Sequence, residues 1–323
     1  MIAVVIPYFQ REPGILQRAL RSVFAQEGIA NVEVVVVDDA SPIPAGGELK
    51  AMGQPLTFPV TIIERINGGP AAARNTALDN LPVATRYVAF LDSDDQWSPD
   101  HLANAVSALS AGYDVYFADH LQLGADLSAF QRAGRIHPDQ HPVIDAGVTL
   151  RAFDGDMFHQ IMTGNVIGTS TVVYDIRVHK ALRFRTEFTH AGEDYLFWME
   201  LARNGARFAF STRTEAVYGK GVNVYAASGW GTEQNLLRIQ NEIRYRKFTS
   251  KLFPVTPEQA AVLSTKVREL RLAFMSNLLH LLAHGKGIPT AILRNQFALD
   301  PVTFSSAVPL VCKLMWQKSR GKS

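Results

Sequence analysis

Five short, almost unbroken apolar runs dominate the first part of the chain, at residues 3–8, 32–37, 60–64, 87–91 and 115–118. A strand with one face in water alternates apolar and polar side chains. Runs this continuous are predicted to be buried on both faces. Segments with helical spacing lie between them. Residues 14–26 set Leu16, Leu20, Val23 and Phe24 on one side, residues 70–81 open on a proline suited to a first helical turn, and residues 99–110 form a third helix. Solid strands alternating with helices predict an α/β fold with a mostly parallel sheet flanked by helices. Further on, residues 170–174 read as a strand and 193–204 as a helix closed by Gly205, while 124–165 read as loops with short elements.

The chain has 323 residues, 47% of them hydrophobic, enough for one large domain or two modest ones. Its charge is divided. Residues 1–232 hold 18 Lys and Arg against 25 Asp and Glu, whereas residues 233–323 hold 14 against 5. The glycine-rich stretch 219–231 reads as a mobile loop, and a boundary near 231 separates a body, 1–231, from a basic helical extension, 232–323. Val262, Val267, Leu270, Phe274, Leu278 and Leu281 give that extension an amphipathic helix. A basic tail predicts an anionic surface, and the extension is expected to touch a membrane, the acceptor or a second copy in a homodimer. No recognisable motif or aromatic stacking series supports nucleic acid as a partner. The single cysteine, Cys312, allows no disulfide within the chain and fits a reducing compartment. The N-terminus lacks a basic leader, and no apolar run reaches the roughly 20 residues of a spanning helix. The expected location is the cytoplasm, with peripheral contact at the inner face of the cell membrane.

Two apolar runs end in acid. The run at 32–37 is followed by Asp38 and Asp39, and the run at 87–91 by Asp92, Ser93, Asp94 and Asp95. One such ending reads equally as a helix cap or an Asx turn. Two beyond the carboxyl ends of parallel strands, where open sheets bind ligands, point to an acidic rim that attracts a cation. Carboxylates without cysteine or many histidines favour Mg²⁺ or Mn²⁺ over Zn²⁺. A third stretch, INGGPAAARN at 66–75, allows a tight turn before a helix whose free N–H groups face a ligand, with Arg74 one turn in. A fourth, HAGEDYLFWMEL at 190–201, opens a helix on Glu193 and Asp194. Both acids complement the helix dipole, or one of them is a general base in a cleft.

In order, VVIPYF, VVVVDDAS, NGGPAAARN, FLDSDD and GEDYLFW resemble the family 2 inverting glycosyltransferases of GT-A fold, over roughly residues 1–215, and most closely the bacterial exopolysaccharide branch that includes succinoglycan-type glucosyltransferases. The resemblance implies a GT-A catalytic domain in residues 1–231. It also implies metal-dependent, inverting transfer of one sugar from a UDP-hexose such as UDP-glucose to a glycan or lipid-linked oligosaccharide acceptor. By the same resemblance Asp94 and Asp92 hold Mn²⁺ or Mg²⁺ and Asp95 lies behind them. Pro7, Tyr8, Asp38, Asp39, Arg74, Asp92 and Ser93 lie on the nucleotide, with Asp39 accepting from the base and Asp38 supporting it. Asp194 is the catalytic base with Glu193 beside it, and Lys220, in a loop that closes over the donor, touches the diphosphate. Processive members carry a Q-x-x-R-W motif and membrane-spanning helices. Here Gln234 and Arg238, or Gln240 and Arg244, are one residue too far apart and lack the tryptophan, which favours single-sugar transfer. His159, Asn165 and Thr169 either face the acceptor or satisfy local backbone. The rival readings are a sugar-phosphate nucleotidyltransferase, whose glycine-rich basic signature is missing near the N-terminus, and a non-catalytic nucleotide-sugar-binding scaffold, against which the intact Asp94 and Asp194 speak.

Overall fold

The computed structural model describes residues 1–53, 55–145, 150–188, 192–219, 221, 228–287 and 289–305. They divide into two compact units, one drawn from Met1–Thr189 and Glu193–Val222, the other from His190–Gly192 and Asn223–Ser323.

The first unit is built on one sheet. Its strands are β1 (Ile2–Tyr8), β2 (Val32–Asp38), β3 (Val60–Glu64), β4 (Tyr87–Phe90), β5 (Gln96–Trp97), β6 (Val115–Gln122), β7 (Val143–Asp145), β8 (Leu150–Ala152), β9 (Val173–Asp175) and β10 (Phe208–Tyr218). They lie in the order β3-β2-β1-β4-β9-β6-β10-β8-β7, with β5 alongside β10. The long pairings, β1 with β2 and β6 with β10, are parallel, as are β2 with β3 and β1 with β4. The short strands β5, β7, β8 and β9 pair antiparallel. The helices are α1 (Ile15–Phe24), α2 (Ala45–Ala51), α3 (Pro70–Asp79), α4 (His101–Ser110), α5 (Ala129–Ala133), α6 (Met157–Thr163) and α7 (Glu193–Arg203). Burial explains the continuous apolar runs at the centre of the sheet, where every residue of β4 and nearly every residue of β1 and β2 is buried, but not the run at 60–64: β3 is the edge strand, and its residues are half-buried or exposed. α1 covers the sheet with Ile15, Leu16, Ala19, Leu20 and Val23, the i, i+4 stripe of an amphipathic helix.

β10 gave no signal in the sequence, and the reason is visible. Its register with β6 shifts twice, between Ser211 and Thr214 and between Thr214 and Ala216. Bulges break the two-residue period that marks a strand. Glu215 interrupts the apolar pattern as well, yet it is 1% exposed. Its carboxylate accepts from Tyr116 Oη at 2.6 Å and Asn104 Nδ2 at 2.8 Å and lies 3.0 Å from His101 Nδ1. A buried charge is tolerable when its lone pairs are filled in this way, and this one ties β10 to α4 and β6.

The second unit comprises α8 (Glu233–Leu252), α9 (Pro257–Ala283), α10 (Thr290–Leu299) and α11 (Val302–Ser305). Thr256 and Gln259 form a capping box at the start of α9. The apolar face of α9, expected to be free for a membrane, is spent inside this unit. Val267, Phe274, Met275, Leu278 and Leu281 pack with Leu236, Ile239 and Ile243 of α8 and Ile292 of α10. Two basic residues of the same helix are also engaged, Lys266 by Glu269 at 3.0 Å and Arg271 by Asp300 at 2.7 Å. Arg271, Thr303 and Lys247 all donate to Asp300 and overcome the effect of its burial, drawing its carboxyl down to about 2. Among the described residues no helix is long and apolar enough to cross a membrane.

Candidate active site

The carboxyl end of β2 carries Asp38 and Asp39, both buried. Asp38 Oδ1 accepts the Ser41 N–H at 2.7 Å and Oδ2 the Ala45 N–H at 2.8 Å. Asp38 is thus the turn-maker that launches α2. Asp39 receives the glycine turn instead. Its oxygens accept from Gly68 N at 3.0 Å and Gly69 N at 2.7 Å, and Arg65 pairs with it. The glycine turn, expected to let the backbone approach a ligand, directs these two N–H groups at the Asp39 carboxylate. Gly69 sits at φ 85°, where a side chain would be strained, and Ala40 at φ 57° occupies the left-handed region that non-glycine residues seldom adopt. Tyr8 pairs with Asp38 across β1 and β2 and is 1% exposed. Burial, with Glu48 and Asp38 nearby, pushes its phenol up to about 12. Pro7 is half-buried.

The end of β4 runs into the acidic loop. Asp92 Oδ1 accepts from Arg74 Nη2 at 2.6 Å. Asp94 Oδ2 accepts the Gly221 N–H at 2.7 Å. Asp95 is consumed on both oxygens, by Gly219 N at 2.9 Å and Ser170 Oγ at 2.5 Å. Ser93 is buried and accepts from Gln10 Nε2 at 3.1 Å. Burial raises the pKa of Asp94, and Asp92 raises it further; Asp95, pushed the same way by burial and by Asp92 and Asp94, stands at about 8. Gly219 and Gly221 lie so close that a Cβ on either would fall on Asp94. Among the described residues no three His, Cys, Asp or Glu side chains form a ready metal cluster. The chain offers Asp92 and Asp94, which suits an octahedral Mg²⁺ or Mn²⁺ held by one or two carboxylates with water and substrate phosphates for the rest. Lys220 lies outside the described residues.

Arg74 joins this loop to α7. Its guanidinium is 3% exposed, pairs with Asp92, stands 3.6 Å from Glu193 Oε1 and sits 5.3 Å from the Phe184 ring. Its burial opposes the charge, but Asp92 and Glu193 outweigh that and keep it protonated. Burial, and then Asp194, raise Glu193 to about 7 against the pull of Arg74. Asp194 is raised by burial and held down by Arg74, by the Tyr195 N–H at 2.8 Å and by Thr169 Oγ1 at 3.3 Å. Asp92, Glu193 and Asp194 face one cavity of about 540 Å³, with Arg74, His120, Thr169 and Tyr218 also in its wall. A larger hollow of about 810 Å³ is walled by residues 177–187 and parts of α3 and α7, and none of the acidic residues singled out in the sequence lines it.

Several contributors carried no sequence signal. Ser170 bridges the backbone of Asp92 and the carboxylate of Asp95. Asn75, the last letter of the glycine stretch, bonds both the N–H and the C=O of Phe184 at 2.8 Å, as a strand partner would. His120 stacks on Tyr218 with ring centroids 4.2 Å apart, and burial pulls its pKa down to about 4. Asn165, named in the sequence as a residue that faces the acceptor or satisfies local backbone, lines the cavity and also satisfies both backbone groups of Ile167. Thr169 faces the cavity; His159 does not line it.

A family model described as Glycosyl transferase family 2 matches residues 3–162. The succinoglycan biosynthesis protein ExoW of Rhizobium meliloti is 36% identical over 233 residues, which is 69% of this chain and 70% of that protein. Among solved structures, TarS from S. aureus in complex with UDP-GlcNAc superposes with a TM-score of 0.55 at 15% identity, covering 99% of this chain and 92% of that one. The mannosyltransferase PcManGT from Pyrobaculum calidifontis, in complex with GDP-Man and Mn²⁺, gives 0.57 at 18% identity over 98% and 87%. At these identities the structural likeness is one of fold.

Proposed function

The chain belongs to glycosyl transferase family 2 and is a glycosyltransferase of GT-A fold, and from that premise we propose that it transfers a single hexose from a UDP-sugar, such as UDP-glucose, to a glycan acceptor with inversion at the anomeric carbon. The observation that carries this reading is the cavity where Asp194 and Asp92 open together, with Arg74 buried between the two sides. One carboxylate accepts a proton there. The other sits where a donor diphosphate would lie.

The division of labour follows from partners. Asp194 is the better-placed base: it lines the cavity, and among the described residues its Oδ2 accepts from the Thr169 hydroxyl at 3.3 Å, whereas Glu193 faces the Arg74 guanidinium. An acceptor hydroxyl that loses its proton to Asp194 attacks from the face opposite the leaving nucleotide, and a single displacement inverts the centre. Arg74 keeps Nε and Nη1 without a hydrogen-bond partner among the described residues, so it has protons to offer a phosphate oxygen. Asp92 and Asp94 would hold Mn²⁺ or Mg²⁺, whose chemistry is to neutralise the diphosphate and make it a good leaving group. Asp95, with both oxygens taken, supports the loop from behind.

The likeness to ExoW supports a place in exopolysaccharide synthesis, and a lipid-linked oligosaccharide is the acceptor proposed. The basic second unit, residues 232–323, is proposed as the part that meets this acceptor or a second copy. The test is a donor panel. Thermal shift with UDP-, GDP- and dTDP-sugars, with and without Mn²⁺, is expected to single out a UDP-hexose that raises the melting temperature only with metal. Stabilisation by a GDP- or dTDP-sugar alone would overturn the donor assignment, and metal-independent stabilisation would overturn the role of the acidic loop.

A further inference from the structure

The turn Thr169–Thr171, just ahead of β9, touches both halves of the cavity. Ser170 is fully buried and every polar group on it is used. Its N–H donates to Tyr218 Oη at 3.3 Å, and its carbonyl accepts from Trp97 Nε1 at 2.5 Å. Its hydroxyl accepts from Asp92 N at 2.9 Å and donates to Asp95 Oδ2 at 2.5 Å. Only a hydroxyl can accept from an amide and give to a carboxylate through one small atom. One residue earlier, Thr169 Oγ1 donates to Asp194 Oδ2 at 3.3 Å. The turn is packed without slack: a Cβ on Gly168 would stand 2.3 Å from Tyr218 Oη and 2.7 Å from His120 Cε1.

We propose that Thr169 and Ser170 are positioning residues, and that this one step of backbone sets the separation between the proton acceptor and the acidic strand end. The proposal rests on the glycosyl-transfer reading above. The chemistry gives the separation its importance. In a single in-line displacement the base and the leaving group lie on opposite faces of one carbon, and a misplacement of about 1 Å costs on the order of 10²-fold in rate. Asp194 and the acidic loop sit on elements almost 100 residues apart in the chain. Arg74 links the two through its charge, and the adjacent residues Thr169 and Ser170, whose Cα atoms are about 3.8 Å apart, link them through hydroxyl groups on one short piece of backbone. Ser170 holds the loop from within, and Thr169 holds the base.

The charged and titratable groups around the cavity that holds Asp194 are Arg74 from α3, Glu193 and Tyr195 on its own helix, Asp92 at the strand end, Arg132 from α5, and His120 and Tyr218 on the facing strands. None of these changes when Thr169 is replaced, so a shift in the pH profile reports the lost hydroxyl.

The experiment measures UDP binding with Mn²⁺ by calorimetry, and kcat against pH with whichever donor the panel selects, all on the full chain. Ser170→Ala is expected to weaken UDP binding about tenfold or more, the weight of one hydrogen bond to a charged group. Thr169→Val is expected to keep UDP affinity, lower kcat about tenfold or more, and move the acid limb of kcat to higher pH, because Asp194 loses a donor that favours its ionised form. Thr169→Ser restores the rate and the limb. A Thr169→Ser enzyme as slow as Thr169→Val, an unmoved limb, or full UDP affinity in Ser170→Ala overturns the proposal. The two Thr169 variants decide it even where Ser170→Ala fails to fold. Wild-type protein that neither binds UDP with Mn²⁺ nor turns over any donor overturns the glycosyl-transfer reading and this proposal together, whereas an active wild type with unaffected variants overturns this proposal alone.

Discussion

Asp92, Asp94 and Asp95 share one loop, yet their partners give them three different tasks. Arg74 neutralises Asp92, Asp94 accepts the Gly221 N–H, and Asp95 is filled by Ser170 and Gly219. Asp94→Ala is therefore expected to abolish Mn²⁺-dependent UDP binding and leave the circular dichroism spectrum unchanged. UDP affinity indifferent to both EDTA and this substitution would remove Asp94 from the metal. At the other wall, Asp194→Asn is expected to keep UDP binding while kcat falls about 10²–10⁴-fold, the usual weight of a general base. A dead Glu193→Gln enzyme beside an active Asp194→Asn enzyme would move the base by one residue. Equal unfolding of both would assign the pair to the α7 helix terminus.

At the scale of elements, α3 is a strut as well as the source of Arg74. Asn75 pins Phe184, whose ring stacks on Phe197 of α7 with centroids 4.1 Å apart, and Phe197 also meets Phe90 of β4. The residues leading into α7 are thereby registered against the sheet. Asn75→Ala removes two hydrogen bonds and strands two backbone groups, a loss of about 1–3 kcal/mol. Urea denaturation measures it, and an unchanged midpoint would show that the clamp contributes nothing. kcat should fall with it, since α7 carries Asp194.

At the scale of the whole molecule, buried charge gives the protein a characteristic pH response. Glu193 is raised to about 7 from 4.5, and Asp194 is raised too. A carboxyl whose folded pKa exceeds its unfolded value binds more protons in the native state, so stability falls as pH rises through the interval between them. His120 has the opposite sign. Its folded pKa of about 4 lies below its ordinary value of 6.5, so stability rises with pH across that interval and then levels. Below pH 6.5 the two effects oppose each other. Above it the carboxyl effect stands alone, through Glu193 up to about 7 and through Asp95 up to about 8. The melting temperature of the ligand-free protein is expected to decline from pH 6.5 to 7.5, and Glu193→Gln, which cannot ionise, is expected to lessen the decline and leave the share of Asp95. A melting temperature that climbs through this interval would contradict the assignment.

The sequence by itself determined the layered α/β architecture, because buried parallel strands must be continuously apolar, and 32–37 and 87–91 could satisfy no other environment. It determined the acidic strand ends for the same reason: charge placed directly after a buried run emerges at one edge of the sheet. Tertiary structure alone decided what each acid does. Asp38 and Asp95 look like Asp92 and Asp94 on the page, and only the N–H and hydroxyl groups brought from residues 41, 45, 170 and 219 separate structural carboxylates from available ones. It alone decided the fate of the α9 stripe. An amphipathic face states that something apolar covers it, and the three-dimensional fold supplied α8 and α10 as that cover. β10 belongs with these, since two bulges and a buried Glu215 erase the period a reader depends on, and partners about a hundred residues away restore the strand. Local pattern reports how much of a segment is buried; which groups meet there is a property of contacts distant in the chain.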